Sequence, residues 1–370
     1  MIYGAGMEWR RDRLRPLPPT SEFGTDVAHA RYLDLLESEM GPRLAKAGVK
    51  ALSWPSGVTF GNFAVQPLDG VGRYTQRRVN AVPTPTWMQP GGWAERQVVG
   101  IQDFIRLCAS WGMRAAVVQL PLFLYDGSKR TAGPDNSWFL PSGRFGQTDG
   151  DRLISYWLKC YGLMAKAEGF DRLERVYLCL GHEWCPRWVP WFRGLDGAAK
   201  SYAELGARLA AFLYGEEQVT VVLSGAMQGE WDAFGANAWH KPLYEVAGGI
   251  ENVAVNVDKY MTERWAPLAR FRVGPGDWGV RGEPFRSVCL EASIHSVNHD
   301  KDAEADDFSW PESGVEALKV MRNKAEMDGC ELFLAWMWNP EPRPMPYPYG
   351  MVDERGEPTF RALEMAPEVG

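Results

Sequence analysis

The chain has no block of basic residues, no CxxC pair and no apolar run near the length of a membrane span. Each absence removes a class. With a net charge of -7 and no basic stretch, nucleic acid is not an expected partner. A spanning helix needs about 20 consecutive apolar residues, so no membrane association is expected. The six cysteines (Cys108, Cys160, Cys179, Cys185, Cys289, Cys330) lie in or beside predicted strands and helices. They read as buried free thiols of a reducing compartment, with disulfides the weaker alternative. GxSxG, P-loop and dinucleotide fingerprints are missing as well, and no cofactor is expected. The opening residues MIYGAGMEWRRDRLRPL contain neither an apolar h-region nor a cleavage site. The expectation is a cytoplasmic protein, with a secreted mature form as the alternative. His295 and His299 are four apart, a spacing that suits zinc on a helix, but no third ligand is evident and no metal is expected.

Strand-like and helix-like patterns alternate along the 370 residues, which argues for parallel βα units. Eight strand candidates appear: 1–8, Val49–Trp54, Ala115–Leu122, Arg175–Leu180, Val219–Ser224, Val253–Val257, Phe285–Leu290 and Leu332–Trp338. Helical spacing marks the intervals. Ile101, Phe104, Ile105 and Cys108 fall on one face, as do Leu153, Tyr156, Trp157 and Cys160, and Tyr202, Leu205, Leu209 and Phe212. Val315, Leu318 and Met321 mark another helix, and residues 27–47 look helical although Gly41-Pro42 breaks the pattern. Long Gly/Pro-rich loops are expected at 58–94, 123–149 and 261–284. With no repeat and no linker, the simplest account is an α/β fold of a single domain over 1–370: a (β/α)8 TIM barrel with long βα loops.

Two stretches have the same build. In RVYLCLGHEW (175–184) an apolar run ends at Gly181, and His182, Glu183 and Trp184 follow. In FRSVCLEA (285–292) the run ends at Glu291. Unbroken apolar runs are how strands buried on both faces read, and the C-terminal ends of such strands are where a barrel places its chemistry. A pair of carboxyl groups about 5–5.5 Å apart is the apparatus of retaining glycosidic-bond cleavage. In that reading Glu183 is the acid/base. The apolar wall of Trp184 and the charge of Glu291 both favour its protonated form. Glu291 is the nucleophile, kept ionised by donors such as Tyr260. Taken singly, each acid also fits a helix cap or an ion-pair partner.

Carbohydrate is the expected substrate on a second ground. Seventeen tryptophans are present, many of them in predicted loops, and exposed aromatic faces stack well on sugar rings. Trp336 and Trp338 share one face of the last strand, and Trp338, the outer one, suits the floor of a sugar subsite. Glu8, Gln228, Glu230 and Asp258 are candidate partners for sugar hydroxyls.

These motifs resemble a clan-A retaining glycoside hydrolase, and most of all the barrel domain of the α-L-arabinofuranosidase family. Ile2-Tyr3-Gly4 through Glu8 resembles that family's first strand, and Trp54-Pro55-Ser56-Gly57 and Asp69-Gly70-Val71-Gly72 are similar to its next two turns. Gly181-His182-Glu183 sits where the family has Gly-Asn-Glu, Tyr260 matches the tyrosine near the nucleophile, and Glu291 matches the nucleophile. The resemblance implies sugar contacts for Glu8, Trp54, His182 and Tyr260. Two positions depart from it: His182 replaces asparagine, and Ser53 stands where arginine is usual. A β-glycosidase, an agarase-like enzyme or a glycosidase of another specificity fits equally well. A catalytically inactive carbohydrate-binding barrel is the alternative function, and a metal-dependent barrel hydrolase a third. Sugar, linkage, exo or endo mode and oligomeric state are not legible.

Overall fold

Each expected apolar run pairs with the next in parallel, and the last pairs with the first. The computed structural model describes residues 1–7, 9, 26–54, 63–66, 75–78, 99–120, 147–181, 198–224, 236–256, 259–262, 286–295, 312–327, 329–335, 338, 351–353 and 355–367. In chain order the strands are β1 (Ile2–Ala5), β2 (Ala51–Trp54), β3 (Phe63–Gln66), β4 (Thr75–Arg78), β5 (Ala115–Leu120), β6 (Arg175–Leu180), β7 (Val219–Ser224), β8 (Val253–Asn256), β9 (Lys259–Thr262), β10 (Arg286–His295) and β11 (Leu332–Ala335). The order β11-β1-β2-β5-β6-β7-β8-β10, closed by a β10–β11 pairing, is an eight-stranded parallel barrel. The helices are α1 (Asp26–Lys46), α2 (Ile101–Ser110), α3 (Gln147–Met164), α4 (Ala198–Phe212), α5 (Ala236–Gly249), α6 (Glu312–Met327) and α7 (Phe360–Glu364). None among the described residues is long and apolar enough to cross a membrane.

Strand side chains alternate between two layers, as the period of two requires. Ile2, Ala51, Ala115, Val117, Tyr177, Cys179, Val222, Ala254, Val288, Leu290, Leu332 and Leu334 fill the barrel. Their neighbours, among them Leu52, Val118, Leu178, Val221, Val255 and Phe333, face the helices in a separate, larger cluster. The barrel is a packed core with no room to spare at Gly4. A Cβ there would stand 2.4 Å from the Ala51 carbonyl oxygen and 2.5 Å from a Leu334 methyl. At the N-terminal end of the strands the interior closes on an ion pair, with Arg286 forking onto Glu331 through Nε and Nη2. The same guanidinium donates to the Glu251 carbonyl (2.8 Å) and to Thr220 Oγ1 (3.2 Å).

Four local expectations change. The α1 helix runs through Gly41-Pro42, because Leu36, Met40 and Leu44 are fully buried and Gly41 packs on Trp111, where a Cβ would approach to 2.7 Å. On α4 the buried stripe is Tyr202, Leu205 and Leu209, continued by Leu213 just past its end, while Phe212 is 63% exposed. Gly206 completes that stripe at the closest approach to β7, where a Cβ would meet Leu223 at 2.3 Å. The expected loop at 58–94 contains an antiparallel pair, β3 with β4. The seventh barrel strand runs on to His295, so His295 ends a strand and a helical spacing to His299 does not apply; His299 lies outside the described residues. Among the described residues no group of three or more His, Cys, Asp or Glu is placed to hold a metal ion.

Five of the six cysteines are described, and all five are buried thiols outside any disulfide. Burial alone raises the Cys108 thiol well above its ordinary value. It also raises Cys330 to about 12, against hydrogen bonds to its sulfur that act the other way. A thiol held neutral in the fold contributes its stability below its unfolded value of about 8.5, and loses it as pH rises past that value. Disulfide-exchange titration with DTNB at pH 8 is therefore expected to find five thiols silent until denaturant unfolds the chain. Rapid reaction of two or more thiols in the native protein contradicts this packing. The urea midpoint is expected to fall between pH 8 and pH 10.

Candidate active site

The C-terminal ends of the barrel strands carry a polar layer, of which the sequence had singled out only Glu291 and Ser53. Ser53, Gln119, Ser224, Asn256 and Glu291 are all buried, between 0% and 3% exposed. The first four share one pattern: each follows an outward-facing apolar residue (Leu52, Val118, Leu223, Val255), so each turns to the interior. A lone polar residue near the end of an otherwise apolar strand was the available signal.

Glu291, equally buried, sits where the alternation along β10 breaks. Counting by twos from Ser287 and Cys289, it belongs with the side chains that face the helices. The β10–β11 ladder runs Cys289 to Phe333 and then Ala292 to Ala335, so three steps on β10 match two on β11. On the other flank Val288 pairs with Asn256 and Ala292 with Lys259, four steps against three. The β11 ladder thus registers one extra residue on β10, a bulge-like shift between Cys289 and Ala292 that spans Leu290 and Glu291. The two residues together stand opposite Leu334, an interior residue, and Ala292 resumes the outward layer. Bulges of this kind re-aim side chains and recur beside active sites.

The bulge leaves a ladder donor to be satisfied, and Asn256 takes it. The Leu290 N–H donates to Asn256 Oδ1 (2.9 Å), and Asn256 Nδ2 donates to Ser224 Oγ (3.2 Å). A backbone N–H only donates, which fixes the orientation of the amide. Next along the wall, the Ser224 N–H donates to the Tyr202 hydroxyl (2.8 Å), which donates to the Leu180 carbonyl (2.5 Å). These bonds join the ends of β6, β7, β8 and β10 in one belt. Gly181, just past β6, has φ +68°, a left-handed turn that glycine adopts without strain. Its N–H still pairs with the Leu120 carbonyl at 2.7 Å.

Of the expected site residues, Glu8, His182, Glu183, Trp184, Gln228, Asp258 and Trp336 lie outside the described residues. Tyr260 sits on β9, paired with Ser293, two positions beyond Glu291 on the adjoining strand. Trp54 is a correction. It is fully buried, donates Nε1–H to the Val99 carbonyl (2.9 Å) and stacks on Phe104 at 6.2 Å, facing the helices and not the barrel mouth. Outward parity at the end of β2 dictates that place. Trp338, expected as an open subsite floor, is 2% exposed and packed in the same outer cluster, its N–H bonded to the Gly6 carbonyl at 2.7 Å.

No known protein family matches the sequence, and no curated protein does. Solved structures do. An exo-β-1,4-mannosidase from Opitutaceae bacterium strain TAV5 matches with TM-score 0.50 at 14% identity, over 98% of this chain and 58% of that one. A GH5_18 protein from Bifidobacterium longum subsp. infantis gives 0.49 at 13%, over 99% and 77%. A β-D-glucuronidase from Dictyoglomus thermophilum gives 0.44 at 11%, over 98% and 49%. The chain thus spans about half the length of the glucuronidase and somewhat more of the mannosidase. The mannosidase match shows a shared fold. The chain has the (β/α)8 barrel found in that glycoside hydrolase.

The belt makes a stability prediction. Tyr202→Phe removes the hydroxyl that serves two buried backbone groups, and each unsatisfied group costs about 1–3 kcal/mol. Urea unfolding is expected to show a loss of about 3 kcal/mol. A loss below about 0.5 kcal/mol would mean that the two backbone groups find other partners.

Proposed function

We propose that the chain is a retaining glycoside hydrolase, with Glu183 as acid/base and Glu291 as nucleophile. The observation that carries the proposal is the bulge in β10. Burying a carboxyl group is costly, and Glu291 is 3% exposed beside the register shift between Cys289 and Ala292. Its place, at the C-terminal end of a barrel strand, is where this architecture keeps its reacting groups. The fold shared with a mannosidase supports the same class without fixing the sugar.

The chemistry follows from two roles. Glu183 protonates the leaving glycosidic oxygen while Glu291 attacks the anomeric carbon, which gives a covalent glycosyl ester. Glu183, now ionised, takes a proton from water, and that water cleaves the ester with overall retention. Gly181 turns the chain at the end of β6 two residues before Glu183. Tyr260, on the strand beside Glu291, is the proposed hydrogen-bond donor to the nucleophile. His182 replaces the asparagine of the arabinofuranosidase pattern and is proposed to donate to a sugar hydroxyl. The substrate is a carbohydrate, and the site we assign uses no metal or cofactor.

The test begins with a panel of aryl glycosides of differing sugar configuration. On the substrate turned over, Glu291→Ala is expected to lower kcat on the order of 10^4-fold. Azide should restore part of the rate and give a glycosyl azide of inverted configuration. Full activity in that variant removes the assignment of Glu291. Binding of oligosaccharides with no turnover, unchanged in both glutamate variants, would favour the non-catalytic carbohydrate-binding barrel instead.

A further inference from the structure

We propose that Asn256 is a positioning residue, whose amide holds the β10 bulge and thereby sets Glu291 toward the barrel axis. The proposal deepens the reading of Glu291 as a nucleophile and rests on it. Three observations converge.

The first is register. Up to Val288, β10 pairs regularly with β8, and Asn256 is the last residue of β8 in that ladder, opposite Val288. The bulge begins immediately beyond it. Regular pairing resumes with β9, at Ala292 and Lys259. Asn256 is thus the last described residue of β8 before the gap in the ladder, and its side chain reaches into that gap.

The second is hydrogen-bond demand. A residue inserted in a strand takes its N–H out of line with the carbonyl it would have met. The Leu290 N–H is buried, so it needs an acceptor from the protein. Asn256 Oδ1 supplies one at 2.9 Å. An apolar residue at 256 would leave that donor unmet, and the strand would regain a partner by sliding one residue. Because side chains alternate, a one-residue slip carries Glu291 from the interior to the helix-facing side.

The third is that Asn256 is itself fixed. Its Nδ2 donates to Ser224 Oγ, and the Ser224 backbone N–H is held by Tyr202, which grips the end of β6. Rotation of the amide would break bonds on both sides. Sequence supports the same reading: in Val253-Ala254-Val255-Asn256 the only polar residue is the one that faces the bulge.

The experiment compares wild type, Asn256→Leu and Asn256→Asp. Leucine is close to asparagine in size and removes the acceptor; aspartate keeps an acceptor at the same atom. Amide exchange at Leu290, read by residue-resolved mass spectrometry, is expected to quicken at least tenfold in N256L. In N256D it should stay within threefold of wild type, with the amide of Val221 on β7 unchanged in both. On the aryl glycoside found active, kcat in N256L is expected to fall at least 30-fold with KM within threefold, and N256D should recover at least tenfold of that loss. Unchanged Leu290 exchange in N256L overturns the hold on the bulge. Normal kcat despite faster exchange overturns the positioning role. Should wild type and Glu291→Ala prove equally inert on every glycoside, the glycosidase reading fails, and the exchange arm still decides whether Asn256 holds the bulge.

Discussion

One irregularity in a single strand interrupts the alternation of an otherwise regular parallel barrel. Parallel ladders force strict alternation, and strict alternation would send Glu291 outward among the helices. The register shift spanning Leu290 and Glu291 breaks that alternation, while Cys289 and Ala292 on its flanks both stay in the outer layer. A closed barrel tolerates the irregularity because β11 and the β8–β9 pair hold β10 from both edges.

The two ends of the barrel are built for different tasks. At the N-terminal end of the strands, charges meet and are matched. Arg286 and Glu331 form a two-point pair, and the Glu331 charge and hydrogen bond hold the guanidinium above its ordinary pKa although burial, the largest effect, works the other way. Among the described residues, the C-terminal end carries buried hydroxyls and amides beside the Glu291 carboxyl group. Such groups reorient their dipoles little once bonded to one another, which suits a site that must meet charge as it develops. The belt from Leu180 through Tyr202, Ser224 and Asn256 to Leu290 links the strand that leads to Glu183 with the strand that carries Glu291.

The fold was legible because its signals are long-range and redundant. Eight apolar runs separated by amphipathic stretches leave few arrangements other than a parallel barrel, and all eight runs became barrel strands. The glutamate at the end of the seventh run was legible for the same reason. Its orientation was not, because FRSVCLEASIH contains no glycine or break to announce the extra residue, and simple parity gives the opposite answer. Trp54 shows the converse error. A short turn motif suggested a sugar contact, whereas parity within Ala51–Trp54 already placed the ring outward, against Phe104. Asn256, Ser224 and Tyr202 were passed over because each is ordinary in its local window; only the closed barrel brings them into contact.

Covalent trapping tests most directly whether Glu291 is the nucleophile that attacks an anomeric carbon. The protein would be incubated with electrophilic cyclitol epoxides and aziridines of gluco, manno, galacto and arabino configuration, then digested and mapped by mass spectrometry. One configuration is expected to add a single adduct, on the carboxylate of Glu291 within the Arg286–His295 segment. An adduct on another residue, or none from any configuration in a protein that turns over glycosides, would contradict the assignment.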